Sequence, residues 1–355
     1  MTTEHNRQEL DPPEQLDPAD ESAAPPERPI QKRAEFPDIQ AELDELIVRC
    51  AGEPVDPFFT KLVRELMTAA LKLIPDGRDA GELKLMTAAM KELRYAFRVF
   101  GAYPDPLQVT IFGSARTPED HPDYLAAVEF SRLMAQAGWM SITGAGDGIM
   151  KAGHEGPGRE ASFGVAIRLP FETTANEVIL DDEKLIHFKY FFTRKLIFLS
   201  QAESVVCFPG GFGTMDEAFE TLTLVQTGKA SMIPIVMVEG QGPTAGYWHG
   251  FKRFIENELL TRGWVSAEDP GLFYIAESPE DAAAHVLQFY KNYHSSRYVR
   301  DDLVIRIRRR LTDEAVAALN DEFSMVVRKG RIEQSGAYDM EVDHLELPRI
   351  AFTHT

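Results

Sequence analysis

The sequence predicts an α/β fold: a Rossmann-like parallel sheet with helices on both faces, preceded by a helical extension and followed by a small α+β appendage. Three observations predict it. Between residues 104 and 293, short apolar runs alternate with stretches of helical periodicity, and strands that alternate with helices make a parallel sheet through right-handed crossovers. Three apolar runs end in glycine-rich junctions, at Gly113-Ser114, Gly144-Ala145-Gly146-Asp147-Gly148 and Pro209-Gly210-Gly211-Phe212-Gly213. Outside this region the pattern changes on both sides.

Residues 1–35 are rich in Pro, Glu, Asp and Gln and nearly lack large apolar side chains. Such a segment cannot bury enough surface to offset chain entropy, and it reads as a disordered tail. Residues 36–103 read as three helices. Leu43, Leu46 and Ile47 recur at helical spacing, then Leu62, Leu66, Ala69 and Leu73, then Leu85, Met86, Met90, Leu93 and Phe97. Pro54 and Pro57 separate the first from the second, and Pro75-Asp76-Gly77 the second from the third. Nothing in these helices points to chemistry.

After the linker Tyr103-Pro104-Asp105-Pro106 the sheet begins. Val109 to Phe112 reads as a strand, Tyr124 to Ala137 as a helix stopped by Gly138, Met140 to Thr143 and Ser162 to Ile167 as further strands. Pro170 to Glu183 reads as an irregular polar loop, and Phe188 to Leu199 as a mostly buried helix interrupted by Arg194 and Lys195. Val205 to Phe208 is the central strand, Ile233 to Val238 the next, and Leu272 to Ile275 the last. Helices span Trp248 to Thr261 and Pro279 to Tyr293. Residues 297–355 alternate strand-like runs with one helix, Asp313 to Phe323. The cluster Arg306, Arg308, Arg309, Arg310 reads as a solvated edge that discourages strand pairing, with an anion site as the alternative.

The chain is organised around residues 205–220. There an apolar run meets Gly210, Gly211 and Gly213, and a helical pattern with Ala218, Phe219, Leu222 and Val225 follows. A strand, a glycine turn and a helix N-terminus together expose backbone N–H groups at the positive end of the helix dipole, which suits a phosphate. Asp216 and Glu217 are expected in the first turn of that helix, close to the anion, where a carboxylate is unfavourable unless chemistry requires it. The competing reading is a capping box, Thr214 followed three residues later by Glu217. For Arg194 and Lys195 the competing reading is a snorkelling edge or a structural ion pair. The alternative places their cations at the glycine loops, where arginine suits bidentate contact with an oxyanion.

Composition narrows the partners. A net charge of −19 argues against nucleic acid or an anionic membrane. No apolar stretch is long enough to span a bilayer, no secretory signal pattern opens the chain, and Cys50 and Cys207 read as unpaired thiols. A cytoplasmic location is expected. Gly144, Gly146 and Gly148 are spaced by two, unlike a dinucleotide fingerprint, and Arg168 stands where that fingerprint needs an acid. No P-loop and no metal-ligand spacing occurs, so no cofactor and no metal are expected.

Gly113-Ser114, Arg194-Lys195 and the run Pro209 to Glu217 together resemble the Lonely Guy (LOG) family, whose signature is P-G-G-x-G-T-x-x-E with an upstream R-K pair. The resemblance covers roughly residues 105–293. It implies a nucleotide-binding α/β protein that hydrolyses the N-glycosidic bond of nucleoside 5′-monophosphates, AMP and cytokinin riboside monophosphates among them, to free base and ribose 5-phosphate. It implies a homo-oligomer, and the flanking segments match a longer bacterial type. Carried over, Arg194 and Glu217 are the catalytic pair, and Gly210, Gly211, Gly213 and Thr214 hold the phosphate. Gly113, Ser114, Gly144, Gly146, Gly148 and Lys195 complete the expected substrate-binding set. Shorter members have Met-His-Glu where this chain has Phe191-Phe192-Thr193, a departure that falls on the base pocket. Similar proteins are often called lysine decarboxylases, yet no residues here suggest a pyridoxal phosphate site. Two alternatives stay open: a nucleotide-binding sensor or carrier without catalysis, and a nucleosidase for GMP or pyrimidine monophosphates.

Overall fold

A computed structural model describes residues 38–52, 55–168, 175–339 and 341–354. The predicted tail, residues 1–35, lies outside the described residues, as does Glu172 of the predicted polar loop. The chain divides into two compact units, Met1–Leu85 and Met86–Thr355.

In the first unit, α1 (Gln40–Ala51) and α2 (Pro57–Lys72) are joined by Arg64, whose Nη1 lies 2.6 Å from Asp44 Oδ2. Asp56 caps α2 by accepting from the Phe58 N–H. A third helix, α3, spans Ala80–Phe100.

The second unit holds a parallel sheet of β1 (Gln108–Phe112), β2 (Met140–Thr143), β3 (Ser162–Ile167), β4 (Leu185–Phe188), β5 (Ser204–Cys207), β6 (Ile235–Val238) and β7 (Tyr274–Ala276). The spatial order is β4-β3-β2-β1-β5-β6-β7. Every pairing in it is parallel. The chain winds outward from β1 to β4, then returns to place β5 against the free side of β1. That reversal opens a crevice between the carboxyl ends of β1 and β5.

Apolar layers cover both faces, so the strands read as unbroken hydrophobic runs rather than alternating ones. On one face Tyr124, Phe130 and Met134 of α4 (Pro122–Gln136) pack with Ile149 and Ala152 of α5 (Ile149–Glu155) and Ala282 and Val286 of α9 (Pro279–Tyr290). On the other, Ala96 and Phe100 of α3 pack with Ile197 and Phe198 of α6 (Phe191–Ser200), Ala218 of α7 (Phe212–Gln226) and Trp248 of α8 (Tyr247–Phe254).

Three elements differ from expectation. β4 falls between the expected loop and the expected helix and takes Phe188 from the latter: Leu185–Phe188 pairs with β3, and α6 starts only at Phe191. The helix entry is fixed by Glu92 of α3, which accepts from the Lys189 N–H at 2.8 Å and from Thr193 Oγ1 at 2.7 Å. The expected helix over 248–261 is α-helical only to Phe254 and continues as a π-helical segment, Ile255–Leu260. Finally, Tyr293 does not end a helix but begins a strand, β8 (Tyr293–Val299).

The C-terminal segment forms a separate antiparallel sheet. It comprises β8, β9 (Asp302–Ile307), β10 (Val327–Ser335) and β11 (Arg349–His354), in the order β10-β11-β9-β8, with α10 (Asp313–Glu322) beside β10. Arg306 is not on a solvated edge. It sits on β9, paired on both sides, and is 4% exposed. Its guanidinium donates to Glu341 Oε1 at 2.6 Å and Asp343 Oδ1 at 2.7 Å, and Arg349 donates to the same Glu341. Burial works to raise the Glu341 pKa, but the bonds from Arg349, the Tyr338 N–H and Arg306 win and hold it at about 2. A buried charge cluster satisfied in this way is structural.

Candidate active site

The loops after β1, β2 and β5 and the helix N-terminus of α7 converge on one cleft of about 1060 Å³. It lies where the strand order reverses. The backbone explains the convergence. The Ser114 N–H donates to the Pro209 carbonyl at 3.1 Å, and the Ile149 N–H donates to the Ser114 carbonyl at 3.0 Å. The turns that follow β1 and β5, and the start of α5, are thereby locked together.

Gly210 is held tightly in this arrangement. A Cβ there would overlap the Thr214 hydroxyl and stand 3.0 Å from the Ser114 nitrogen. Gly210→Ala is therefore expected to cost about 1–3 kcal/mol of stability by overpacking, visible as a lower melting temperature, and to disturb the loop at its closest approach to β1. Gly211 and Gly213 face open space.

α7 starts earlier than a capping box would require. Its N-cap is Gly211, and no side chain caps it. The first intrahelical bond runs from the Met215 N–H to the Gly211 carbonyl at 3.1 Å. The N–H groups of Phe212, Gly213 and Thr214 thus have no intrahelical acceptor, and they meet the cleft at the positive end of the helix dipole. Thr214 is the third helical residue, not the cap, and Glu217 lies almost one further turn along, 4% exposed.

Glu217 faces Arg194. Arg194 Nη2 stands 3.8 Å from Glu217 Oε1 and Lys195 Nζ 3.9 Å from Glu217 Oε2, both beyond hydrogen-bond length. Arg194 Nε and Glu217 Oε2 are buried without any hydrogen-bond partner among the described residues. Unsatisfied buried polar atoms are rare and costly, and here two of them belong to facing opposite charges in one cleft. Burial raises the Glu217 pKa to about 7 against the opposing pull of Lys195 and Arg194. Burial also lowers that of Arg194, against the attraction of Glu217. The Arg194 guanidinium is steadied by the rings of Phe191 and Phe198, at 5.0 and 5.4 Å.

Of the residues expected from sequence, Gly113, Ser114, Gly144, Gly146, Arg194, Gly210, Gly211, Gly213, Thr214 and Glu217 line this cleft. Lys195 and Gly148 do not. Lys195 is not part of the cleft lining: its ammonium lies 2.8 Å from Asp216 and 2.5 Å from Glu220, an ion-pair group of the kind weighed as its alternative, and still stands 3.9 Å from Glu217. Gly148 supports the turn from below. Its φ is +59°, and a Cβ there would overlap the Ser114 carbonyl.

The loop after β2 is held from beneath by fully buried His154. Its Nε2 lies 2.9 Å from Thr143 Oγ1, which accepts from the Ala145 N–H, and Asn176 Nδ2 donates to the Gly146 carbonyl at 2.9 Å. Desolvation drives the His154 pKa down to about 4, so it stays neutral and structural.

Sequence reasoning missed Arg116, Arg168, His187 and Tyr247, all of which line the cleft. Arg116 and Arg168 come shortly after β1 and β3, at the strand ends where ligands bind, and that position was the available signal. With Arg194 they make the cleft locally cationic despite the charge of −19. Among the described residues no group of His, Cys, Asp and Glu could hold a metal, and no helix is long and apolar enough to cross a membrane.

Residues 144–286 match a family model described as "Possible lysine decarboxylase". None of the curated proteins matches the chain. Among solved structures, a molybdenum cofactor carrier protein from Chlamydomonas reinhardtii is similar at 22% identity. That match covers 52% of this chain and 97% of that one, with a TM-score of 0.36. A molybdenum cofactor binding protein from Rippkaea orientalis is similar at 19% identity, covering 53% of this chain and 98% of its own, with a TM-score of 0.36. DNA processing protein A from Streptococcus pneumoniae is similar at 12% identity over 72% of this chain and 95% of its own, with a TM-score of 0.37.

Proposed function

We propose that this chain, whose residues 144–286 match the model described as a possible lysine decarboxylase, is a LOG-family protein that hydrolyses the N-glycosidic bond of a nucleoside 5′-monophosphate. AMP and cytokinin riboside monophosphates are the substrates the family implies; the products are free base and ribose 5-phosphate. The single observation that carries the reading is the buried pair of Glu217 and Arg194, each with an unsatisfied atom among the described residues, one helical turn from a helix N-terminus that no side chain caps.

In this reading the 5′-phosphate lies on the N–H groups of Phe212, Gly213 and Thr214, and the ribose extends along α7 toward Glu217. Cleavage breaks the C1′–N bond with its electron pair leaving on the base, and positive charge develops on the sugar. The Glu217 carboxylate opposes that charge, as carboxylates do in glycoside hydrolysis. Water adds to C1′, one of its protons passes to Glu217, and that proton is available to neutralise the departing base. A pKa near 7 suits a group that must take and return a proton at neutral pH. Arg194 supplies donors to the substrate and keeps enough of Glu217 ionised.

The phosphate serves as an anchor whose binding orients the sugar, so adenosine should react far more slowly than AMP. Incubating the protein with AMP or adenosine and separating the products by chromatography tests the reading. Adenine released from AMP, with little from adenosine, is the expected result. Stoichiometric AMP binding without adenine would return the site to a nucleotide-holding role. Self-association belongs to the same family reading, and exposed Phe192 and Leu196 on α6 are surface that such assembly would cover.

A further inference from the structure

We propose that Tyr247 is a positioning residue for the phosphate loop, holding the Gly210–Gly211 peptide so that its carbonyl cannot turn toward a bound phosphate. The inference rests on the assignment of the phosphate to the N-terminus of α7. The Tyr247 hydroxyl donates to the Gly210 carbonyl at 2.5 Å, and Tyr247 itself lines the cleft.

A glycine pair has no side chains to fix its peptide plane; a Cβ at Gly210 would meet Thr214 and Ser114, while the space beside Gly211 is open. Left alone, that peptide could flip and present an acceptor oxygen to an anion. In a trans peptide the N–H and C=O point in opposite directions. Tying the carbonyl to Tyr247 therefore leaves the Gly211 N–H directed away from the phenol, on the donor side of the loop.

The rest of the region reads as a device for holding that hydroxyl in place. Glu239 follows β6 and is 7% exposed, yet it accepts from the N–H groups of Gly240 at 2.7 Å, Trp248 at 3.3 Å and His249 at 2.8 Å. Asp123, 2% exposed, accepts from the Gln241 N–H at 2.8 Å and Thr244 Oγ1 at 2.6 Å. Two buried carboxylates are thus committed to one connection, residues 239–246, at a desolvation cost that calls for a return. The Tyr247 ring packs edge-on against fully buried Trp248, with centroids 4.9 Å apart. Burial also raises the phenol pKa, which keeps the hydroxyl protonated as a donor.

The test is Tyr247→Phe, which keeps the ring and its packing and removes only the donor. Affinity for inorganic phosphate and ribose 5-phosphate is measured by calorimetry, melting temperature by denaturation, and KM and kcat with AMP. About tenfold weaker binding of both anions is expected, with KM raised in step, kcat changed much less and the melting temperature lowered only as far as the loss of one hydrogen bond requires. Unchanged anion affinity would overturn the proposal, as would a lowered melting temperature with no change in binding. The anion measurements need no turnover. A parent protein that binds ribose 5-phosphate, loses it on Tyr247→Phe and yet releases no adenine would uphold this role while removing the hydrolase reading. A parent protein that binds neither anion would overturn the phosphate site and this inference with it.

Discussion

Glu217→Gln is expected to lose about 10²–10⁴-fold in turnover of a nucleoside monophosphate and, at pH 8, to melt at a higher temperature than the parent protein. The two effects have one cause. In the folded chain Glu217 titrates at about 7, above the ordinary 4.5, because it is buried. Between those values the folded state keeps a proton that the unfolded chain has lost. Stability therefore falls as pH rises through that window, and the whole cost is present above pH 7. Glutamine is neutral throughout and escapes it, a gain of up to about 3 kcal/mol at pH 8 that vanishes near pH 4. Melting curves of both proteins at the two pH values, set beside steady-state rates, check this. An acid kept for structure would behave in the opposite way, its removal lowering the melting temperature and leaving the rate alone.

The second large effect concerns Arg194. In the parent protein kcat/KM should fall as pH drops below about 7, because Glu217 must be ionised to oppose the developing charge on the sugar, and kcat/KM reports the free enzyme. Arg194→Met removes a cation that favours the ionised form, so the Glu217 pKa rises further and the acidic limb of the profile moves to higher pH. Breaking a buried pair by removing one partner typically costs about 3–5 kcal/mol. Part of that stability cost is relieved here by protonation of Glu217, and the loss of the guanidinium donors to the substrate is expected to lower kcat/KM at neutral pH by roughly 10²–10³-fold. A pH–rate profile of both proteins is the measurement. A limb that stays in place in the variant would mean that the titrating group is not Glu217.

How far the sequence could be read depended on where each signal came from. The sheet was legible because strands such as Val205-Val206-Cys207 are buried on both faces and leave unbroken apolar runs between helical ones. The glycine junctions marked the strand ends directly. β4 was not legible: its four residues include exposed His187 and run straight into the apolar start of α6, so strand and helix fuse into one hydrophobic stretch. β8, with Ser295, Ser296 and Arg297 in the middle, is a polar edge strand and carries no apolar period. Arg306 looked like part of a solvated cluster because its partners, Glu341 and Asp343, lie more than thirty residues away. Within the candidate site, Glu217 and Arg194 were legible through a linear motif. Tyr247 was not, since its contact with Gly210 depends on β6 pairing beside β5. Lys195 and Arg194 are adjacent in sequence, and only the direction of each side chain from α6 decides that Arg194 lines the cleft while Lys195 pairs closely with Asp216 and Glu220.

The account stands on the sugar lying against Glu217 while the phosphate sits at the start of α7. A crystal structure of the Glu217→Gln protein with AMP tests this most directly, because that variant should bind the nucleotide without cleaving it. The predicted result is phosphate oxygens on the N–H groups of Phe212, Gly213 and Thr214, with C1′ about 3.5 Å from the residue-217 side chain and Arg194 beside the ribose. A nucleotide bound with its phosphate on Arg116 or Arg168, and its sugar remote from residue 217, would contradict it.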